Sequence, residues 1–167
     1  MKSPLSALPT SIVEEIVHLE SEAMIPLLKK IGIQLTVDGI RKSILADPSQ
    51  TVLVCQDGQR LTALVRYTVE SDHIFIKSIQ LAKSREGLRS LRDILSTSLR
   101  ALQSEASSKV QSVAQTSNQS SIVLHERLGF RRIQENSKAI RFESERSDLV
   151  ERLKRILRSP STSEAAD

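Results

Sequence analysis

The sequence predicts a single domain of the α+β class. Two stretches with apolar residues at helical spacing come first, three strand-like runs separated by turn residues follow, and helical and strand-like segments then alternate. A chain of 167 residues is normally one domain and is long enough to bury a core. The sequence contains no internal repeat that would indicate a repeat architecture.

Two helices are predicted at the start of the chain. The first spans about 8–30, and Ser11 with Glu14 fits a capping box at its start. Pro26 lacks the amide that the preceding turn requires, so we expect it to kink or divide this helix. The second helix is shorter, ends before Asp47-Pro48, and is capped by either Thr36 or Asp38.

Three β-branched and apolar runs predict an antiparallel meander. The first two, 51–55 and 61–67, flank Asp57-Gly58, and Asp-Gly between such runs is the strongest short-range hairpin signal. A second reversal at 70–72 leads into a third strand from 73 to about 81.

The second half of the chain predicts a long amphipathic helix, a strand over 109–114 and then a short helix. Asn118 is a favoured N-cap residue and Gly129 fits a C-terminal stop, so the short helix is well delimited. Ser121 and His125 lie four residues apart and therefore share one face of it. Two further short strands, 131–133 and 139–142, should close the sheet.

Composition excludes several classes of function. Aromatic residues make up 2% of the chain, so we expect no base stacking and no nucleic-acid partner. The net charge of +4 suits a polyanionic ligand without requiring one. The three histidines are far apart without ligand spacing, so we expect no metal.

The same composition suggests a compartment. No apolar run approaches the roughly 18 residues needed to cross a bilayer, and the start of the chain lacks an apolar signal region. Cys55 is the only cysteine and cannot form an internal disulfide, which agrees with a reducing environment. We therefore expect a cytoplasmic protein without a membrane span.

The stretch from Asn118 to Phe130 resembles the late segment of the GNAT (Gcn5-related) N-acetyltransferases. That family shows an Asn, a small residue three positions on, a Tyr or sometimes His seven positions on, and a closing Leu-Gly-Phe. Here these are Asn118, Ser121, His125 and Leu128-Gly129-Phe130. The histidine form looks most like the phosphinothricin-acetyltransferase branch. The order of predicted elements over about 12–142 is also similar to that of the family.

The resemblance implies a GNAT-like (acyl-CoA N-acyltransferase) fold, in which helices flank a central, mostly antiparallel sheet with splayed strands. The gap between the splayed strands would admit the pantetheine arm of coenzyme A. The family usually begins with an extra strand, and since 1–7 is a poor candidate we expect that strand to be missing. The domain would cover 1–143, followed by a basic amphipathic helix at 144–158 and a disordered tail at 159–167.

In the family, the turn before the long helix carries an Arg/Gln-x-x-Gly-x-Gly/Ala motif around the coenzyme A pyrophosphate. Unpaired amides and a partial positive charge at a helix N-terminus suit a diphosphate. Gly87 takes the first glycine position, but Ser84 stands three residues before it, with Arg85 one step late. Arg89 occupies the second small position, where it could reach a phosphate or close the cradle by its bulk.

The resemblance places acetyl-CoA, or a related acyl-CoA, against residues from three segments. They are Ile79, Leu81, Arg85, Gly87, Leu88, Arg89, Ser90, Asn118, Ser121 and His125.

The resemblance also implies direct attack of a primary amine on the thioester, without an acyl-enzyme. The amine would belong to a small molecule or a protein, and its unperturbed pKa of about 10.4 means that a base must remove a proton. Glu70 is our candidate base, with Asp72 and His73 as alternatives, although these polar residues can equally form a solvated turn. His125 stands where the family protonates the departing sulfur, or else it only lines the cofactor groove.

Three functions therefore stay open. The first is an N-acyltransferase. The second is a GNAT-fold module that has lost catalysis and acts in binding or regulation, and the broken glycine pattern and the absent tyrosine favour it. The third function, an anionic-surface or nucleic-acid binder that uses the terminal helix, is supported only by charge. That helix, capped by Ser147 or Asp148, could lie on a membrane, bind an acidic partner, pack on its own domain or form a homodimer.

Overall fold

A computed structural model describes residues 1–159. The strands are β1 (Lys2–Pro4), β2 (Thr51–Asp57), β3 (Arg60–Val69), β4 (His73–Leu81), β5 (Lys109–Gln115), β6 (Arg131–Glu135) and β7 (Ala139–Glu145). The helices are α1 (Thr10–Lys30), α2 (Val37–Leu45), α3 (Arg85–Ser104), α4 (Gln119–Arg127) and α5 (Arg146–Arg158), with a 3-10 turn at Leu5–Ala7. The predicted mixture of helices and strands is confirmed.

The seven strands form one sheet in the order β1-β2-β3-β4-β5-β7-β6. β4 and β5 pair in parallel, and the other neighbours pair antiparallel. The parallel pairing extends only from His73 with Lys109 to Ile76 with Ser112. Beyond it β4 continues along β3, and β5 continues along β7, so the two strands separate. The predicted splayed, mostly antiparallel sheet is confirmed.

Each face of the sheet carries its own hydrophobic core. Side chains alternate between faces along a strand, and accordingly Val52 and Val54 pack with α1 and α2, whereas Leu53 packs with the side chains of α3 and α5. The face with α1 and α2 and the face with α3, α4 and α5 are thus separated by the sheet.

The starts of α2 and α4 are fixed by side-chain caps that the sequence predicted. Thr36 Oγ1 accepts from the amide of Gly39 at 3.1 Å, and Asn118 Oδ1 accepts from the amide of Ser121 at 3.1 Å. Gly129 has a φ of 87°, a left-handed conformation that favours glycine. The limits of α4 are therefore set locally.

Two expectations about helices and strands were wrong, and a third, for Pro26, was wrong in part. A first strand exists, because residues 2–4 pair through their backbone with β2 and such a short edge strand needs no alternating side chains. α1 begins after Pro9 without a side-chain cap, so no Ser11–Glu14 capping box forms there. Pro26 lies inside α1, which continues to Lys30 rather than dividing.

The terminal helix packs on its own domain. α5 follows β7 directly, ahead of the cap candidates Ser147 and Asp148, and it buries Leu149, Val150 and Leu153 in the core beside α3. Arg146 also donates to the carbonyl of Leu102 at 3.0 Å. Residues 160–167, most of the tail predicted to be disordered, lie outside the described residues. Over residues 1–159, no helix is both long and apolar enough to cross a membrane.

Cys55 lies half-buried on β2 and packs against the core on the α3 face. Burial raises the pKa of its thiol above the ordinary value. The thiol is therefore protonated at neutral pH.

A buried ion pair ties α1 to the sheet. Arg66 on β3 is 6% exposed and Glu20 on α1 is 5% exposed, and the guanidinium binds the carboxylate through two bonds, of 2.6 and 2.8 Å. Arg66 also donates to the side chain of Gln50. Gln50 in turn donates to the carbonyls of Ile44 and Asp47. This network joins α1, β3 and the end of α2.

Replacing Glu20 should strongly destabilise the protein. Glu20→Ala leaves a buried guanidinium without its partner charge, and we expect a loss of about 3–5 kcal/mol in the free energy of unfolding, measured by urea denaturation. Glu14→Ala is the matched control, because Glu14 lies on the same helix and pairs with Arg41 at the exposed surface. Equal losses in the two variants would contradict a structural role for the buried pair.

Candidate active site

The separation of β4 and β5 opens a passage across the sheet. On the α1 and α2 face lies a cavity of about 520 Å³, here called the polar cavity, whose lining includes Glu20, Lys77, Gln115 and Asn118. On the opposite face lies a cavity of about 320 Å³, the apolar cavity, between the sheet and α3, α4 and α5. Both cavities are lined by Ile79, Leu81, Ser120 and Leu124. They therefore meet at the gap.

His125 lies in the wall of the polar cavity and is only 4% exposed. Its Nδ1 is 2.6 Å from the carbonyl oxygen of Ser121, and its Nε2 is 2.9 Å from Ser112 Oγ. A carbonyl oxygen can only accept, so Nδ1 carries the proton and Nε2 accepts from the Ser112 hydroxyl. The ring stacks on Phe142 at 4.6 Å and meets the edge of Phe130 at 5.3 Å. One tautomer and one orientation are thereby fixed.

Burial lowers the pKa of His125, and the hydrogen bond to the Ser121 carbonyl opposes that shift only in part. The imidazole is therefore neutral near pH 7, with its basic Nε2 directed at Ser112. A neutral imidazole has no proton on Nε2 to donate. It can accept a proton there through the serine hydroxyl and later return it.

Two more groups at the gap can bind a ligand. Asn118 uses its side-chain oxygen to cap α4, so its amide NH2 is the group that it can offer to a ligand. Gln115, the last residue of β5, has a buried side-chain oxygen without a hydrogen-bond partner in the described part of the chain. A buried acceptor of this kind is costly unless a ligand or water supplies a donor.

The structure brings together only some of the residues predicted from the sequence. Ile79, Leu81, Asn118, Ser121 and His125 all line the polar cavity. The candidate base lies elsewhere: Glu70 is exposed at the turn between β3 and β4, at the end of β4 that pairs with β5, and it does not line either cavity.

The two alternative bases share that turn. Asp72 accepts from His73 Nδ1 at 2.7 Å, and this hydrogen bond lowers the pKa of the carboxyl group. A carboxylate that is already paired and more acidic than usual is a weak base.

The predicted phosphate turn is built differently from the family motif. A Cβ on Gly87 would lie 2.0 Å from the carbonyl oxygen of Ala82, so the glycine is needed for close packing of α3 on the end of β4. Arg85, Leu88 and Arg89 are exposed, and Ser90 bonds the Thr62 hydroxyl at 2.7 Å. The Arg89 side chain does not close the turn.

The start of α3 already has an anion beside it. Ser84 Oγ accepts from the amide of Gly87 at 3.3 Å. Glu86 lies in the first turn of α3, and its pKa is lowered, first by its own backbone amide and then by the Ser84 hydroxyl. An incoming diphosphate would compete with this carboxylate.

Sequence reasoning missed several polar residues of the polar cavity, among them Glu20, Arg66, Lys77, Ser112 and Gln115. Arg66 interrupts the apolar run Leu61–Val65, and a charge in a buried strand indicates a buried partner. Glu20 lies on the buried side of α1, four residues after Ile16. Ser112 carries no local signal, because its contact with His125 depends on how α4 packs against β5.

Comparison with known proteins defines the fold. No family model and no curated protein matches the sequence. Solved structures do: an acetyltransferase from Thermus thermophilus aligns at 15% identity and a TM-score of 0.60, over 81% of this chain and 90% of that chain. An acyl-CoA N-acyltransferase from Pseudomonas aeruginosa aligns at 14% identity and 0.60, over 86% and 97%.

A third structure, the PaiA N-acetyltransferase from Thermoplasma acidophilum in complex with coenzyme A, aligns at 10% identity and a TM-score of 0.60, over 87% of this chain and 98% of that chain. Identities this low establish similarity of fold. The chain has the GNAT, or acyl-CoA N-acyltransferase, fold.

The buried His125 should make stability depend on pH. Because folding lowers its pKa, the unfolded chain takes up the proton first as pH falls, and the free energy of unfolding should decrease below about pH 6.5. The His125→Gln variant should not show this decrease in stability at low pH. The measurement is urea denaturation between about pH 8 and about pH 5. Identical profiles for His125→Gln and the wild type would refute the assignment.

Proposed function

We propose that this protein is an N-acyltransferase that moves an acetyl or other acyl group from acyl-CoA to a primary amine. The observation that carries the proposal is the gap between β4 and β5, which joins two cavities of different chemistry. The fold similarity to acyltransferases supports it. The likeness of the Asn118–Phe130 stretch to the phosphinothricin-acetyltransferase branch is a narrower part of the same proposal.

The residues at the gap fit the arm of coenzyme A. Its amide groups need partners of both kinds, and Gln115 offers an unpaired acceptor while Asn118 offers donors. The edges of β4 and β5 that face the gap carry backbone groups without strand partners. On the α3 and α4 side, the partly exposed Leu91 and Val123 line the entrance to the apolar cavity, and Arg127 adds a cation there. When bound, the co-substrate supplies an acyl group activated as a thioester.

The acceptor amine would enter through the polar cavity. At about 520 Å³ it has the size of a small-molecule site. Its charged side chains are already paired, Glu20 with Arg66 and Lys77 with Asp47. The amine of a small molecule or of a protein side chain would therefore meet a cavity without a free carboxylate among its described residues.

Ser112 and His125 would carry the proton. The neutral amine attacks the thioester carbonyl, a C–N bond forms, the C–S bond breaks, and the proton lost by nitrogen must reach sulfur. The Ser112 hydroxyl would pass that proton to His125 Nε2, and the imidazolium would return it to the thiolate. The geometry favours this pair over Glu70, which does not line either cavity.

The Glu86 carboxylate favours a second candidate, a GNAT-fold binding or regulatory module without catalysis. The Glu86 side chain belongs to the first turn of α3, where the diphosphate would bind. Titration of the purified chain with acetyl-CoA by calorimetry, followed by an assay of thiol release, separates the two. The enzyme should bind acetyl-CoA and release free thiol when mixed with a panel of small amines and lysine peptides. If neither acetyl-CoA nor a longer acyl-CoA binds, the acyltransferase is refuted.

Removing the Ser112 hydroxyl should slow transfer without weakening acetyl-CoA binding. We expect turnover in Ser112→Ala to fall by about 10²-fold or more, as for loss of a proton-transfer group. The assay is free-thiol release, with binding measured by calorimetry. Ser144→Ala is the matched control, since Ser144 is also a buried serine on an adjacent strand but does not line either cavity. Equal turnover in Ser112→Ala and wild type would exclude the relay.

Neutralising Glu86 should tighten coenzyme A binding. Glu86→Gln removes an anion from the α3 N-terminus, and we expect the Kd for coenzyme A to fall about two- to fivefold at low salt. Pantetheine, which lacks the diphosphate, should bind both proteins equally. If the substitution changes pantetheine and coenzyme A binding alike, the diphosphate does not lie at this helix end.

A further inference from the structure

We propose that the apolar cavity binds the acyl chain of the donor, and that the preferred donor carries a medium-length aliphatic group instead of acetyl. The inference rests on the proposed function, because it needs a thioester in the gap between β4 and β5. It is carried by the size, the lining and the position of the cavity.

The size exceeds what an acetyl group requires. The cavity has a volume of about 320 Å³, whereas an engineered cavity of about 150 Å³ holds benzene. Natural cores contain few voids larger than a water molecule. This space opens to solvent past the partly exposed Leu91 and Val123, and its volume can hold an apolar occupant with more carbon atoms than a benzene ring.

The lining selects for a chain without polar atoms. Its deep part is formed by fully buried aliphatic side chains, among them Leu53, Ile74, Ile94 and Leu149. Ser98 Oγ donates to the carbonyl of Ile94 at 2.8 Å, so this hydroxyl is satisfied within its own helix. The amide groups of pantetheine would lose their hydrogen bonds there, whereas methylene groups would lose nothing.

A polar cluster closes the inner end. The Tyr67 hydroxyl donates to Glu105 at 3.2 Å, and Lys2 binds the same carboxylate oxygen at 3.1 Å. Tyr67 and Glu105 both line the cavity. A hydrocarbon chain would end against this cluster, which limits its length.

The position connects the cavity to the reacting carbon. Ile79, Leu81 and Leu124 line both the gap and the apolar cavity. From there the cavity follows α3 from Leu91 to Leu102, a rise of about 16 Å. A thioester in the gap would thus have its acyl chain directed under α3, with α5 as the far wall.

Comparison of three ligands tests the proposal in the full-length chain. Coenzyme A, acetyl-CoA and octanoyl-CoA are titrated by calorimetry and by thermal shift. We expect octanoyl-CoA to bind at least about tenfold more tightly than acetyl-CoA, because its extra methylene groups leave water. Equal or weaker binding of octanoyl-CoA overturns the proposal.

Filling the cavity should abolish the preference. Ala101 is 5% exposed and lines the cavity, so Ala101→Leu places additional carbon atoms inside it. We expect the advantage of octanoyl-CoA to fall at least about fivefold while the Kd for acetyl-CoA stays the same. Arg100→Leu is the matched control, since it adds a leucine at the adjacent, exposed position of the same helix. Unchanged octanoyl-CoA binding in Ala101→Leu overturns the proposal.

These experiments distinguish failure of the inference from failure of the proposed function. If Ala101→Leu does not fold, which circular dichroism will show, Ser98→Leu fills the same space from the preceding turn of α3 and takes its place. If none of the three ligands binds, both the proposed function and this inference fail. If acetyl-CoA binds and octanoyl-CoA binds no better, the inference alone fails and the proposed function stands.

Discussion

Hydrogen bonding between β4 and β5 stops after four residue pairs, and the candidate site depends on that interruption. Each strand keeps its other neighbour, β3 for β4 and β7 for β5, so the sheet stays intact on both sides of the opening. Backbone groups along the open edges lack strand partners, and such groups bind water or a ligand. The opening therefore supplies both space and hydrogen-bonding capacity in the middle of an otherwise closed layer.

The two sides of the opening differ in chemistry because the two faces of the sheet carry different partners. α1 contributes Glu20, which neutralises Arg66, and Lys77 is neutralised by Asp47, so the polar face holds charges that are already satisfied. In the proposed reaction, proton transfer would therefore fall to groups that are neutral at rest, the imidazole of His125 and the hydroxyl of Ser112. The cavity on the opposite face is lined mainly by aliphatic side chains, which suits the uncharged part of a ligand.

Local chemistry explains how much the sequence could predict. The Asn118 cap, the Gly129 stop, the Asp57-Gly58 hairpin and the face shared by Ser121 and His125 need only neighbouring residues, and the structure shows all four. The contact between Ser112 and His125 needs a helix packed on a strand, and spacing along the chain does not encode it. Glu70 illustrates the same limit, because sequence distance from β4 does not reveal at which end of the strand the sheet opens.

The half-buried thiol of Cys55 has a practical consequence for enzymology. Thiolates, not thiols, react with disulfide reagents such as Ellman's reagent, and the raised pKa of Cys55 keeps this sulfur protonated at assay pH. As the sole cysteine of the chain, it would add little background colour. A continuous colorimetric readout of liberated coenzyme A is accordingly feasible with the native sequence, without first mutating the cysteine.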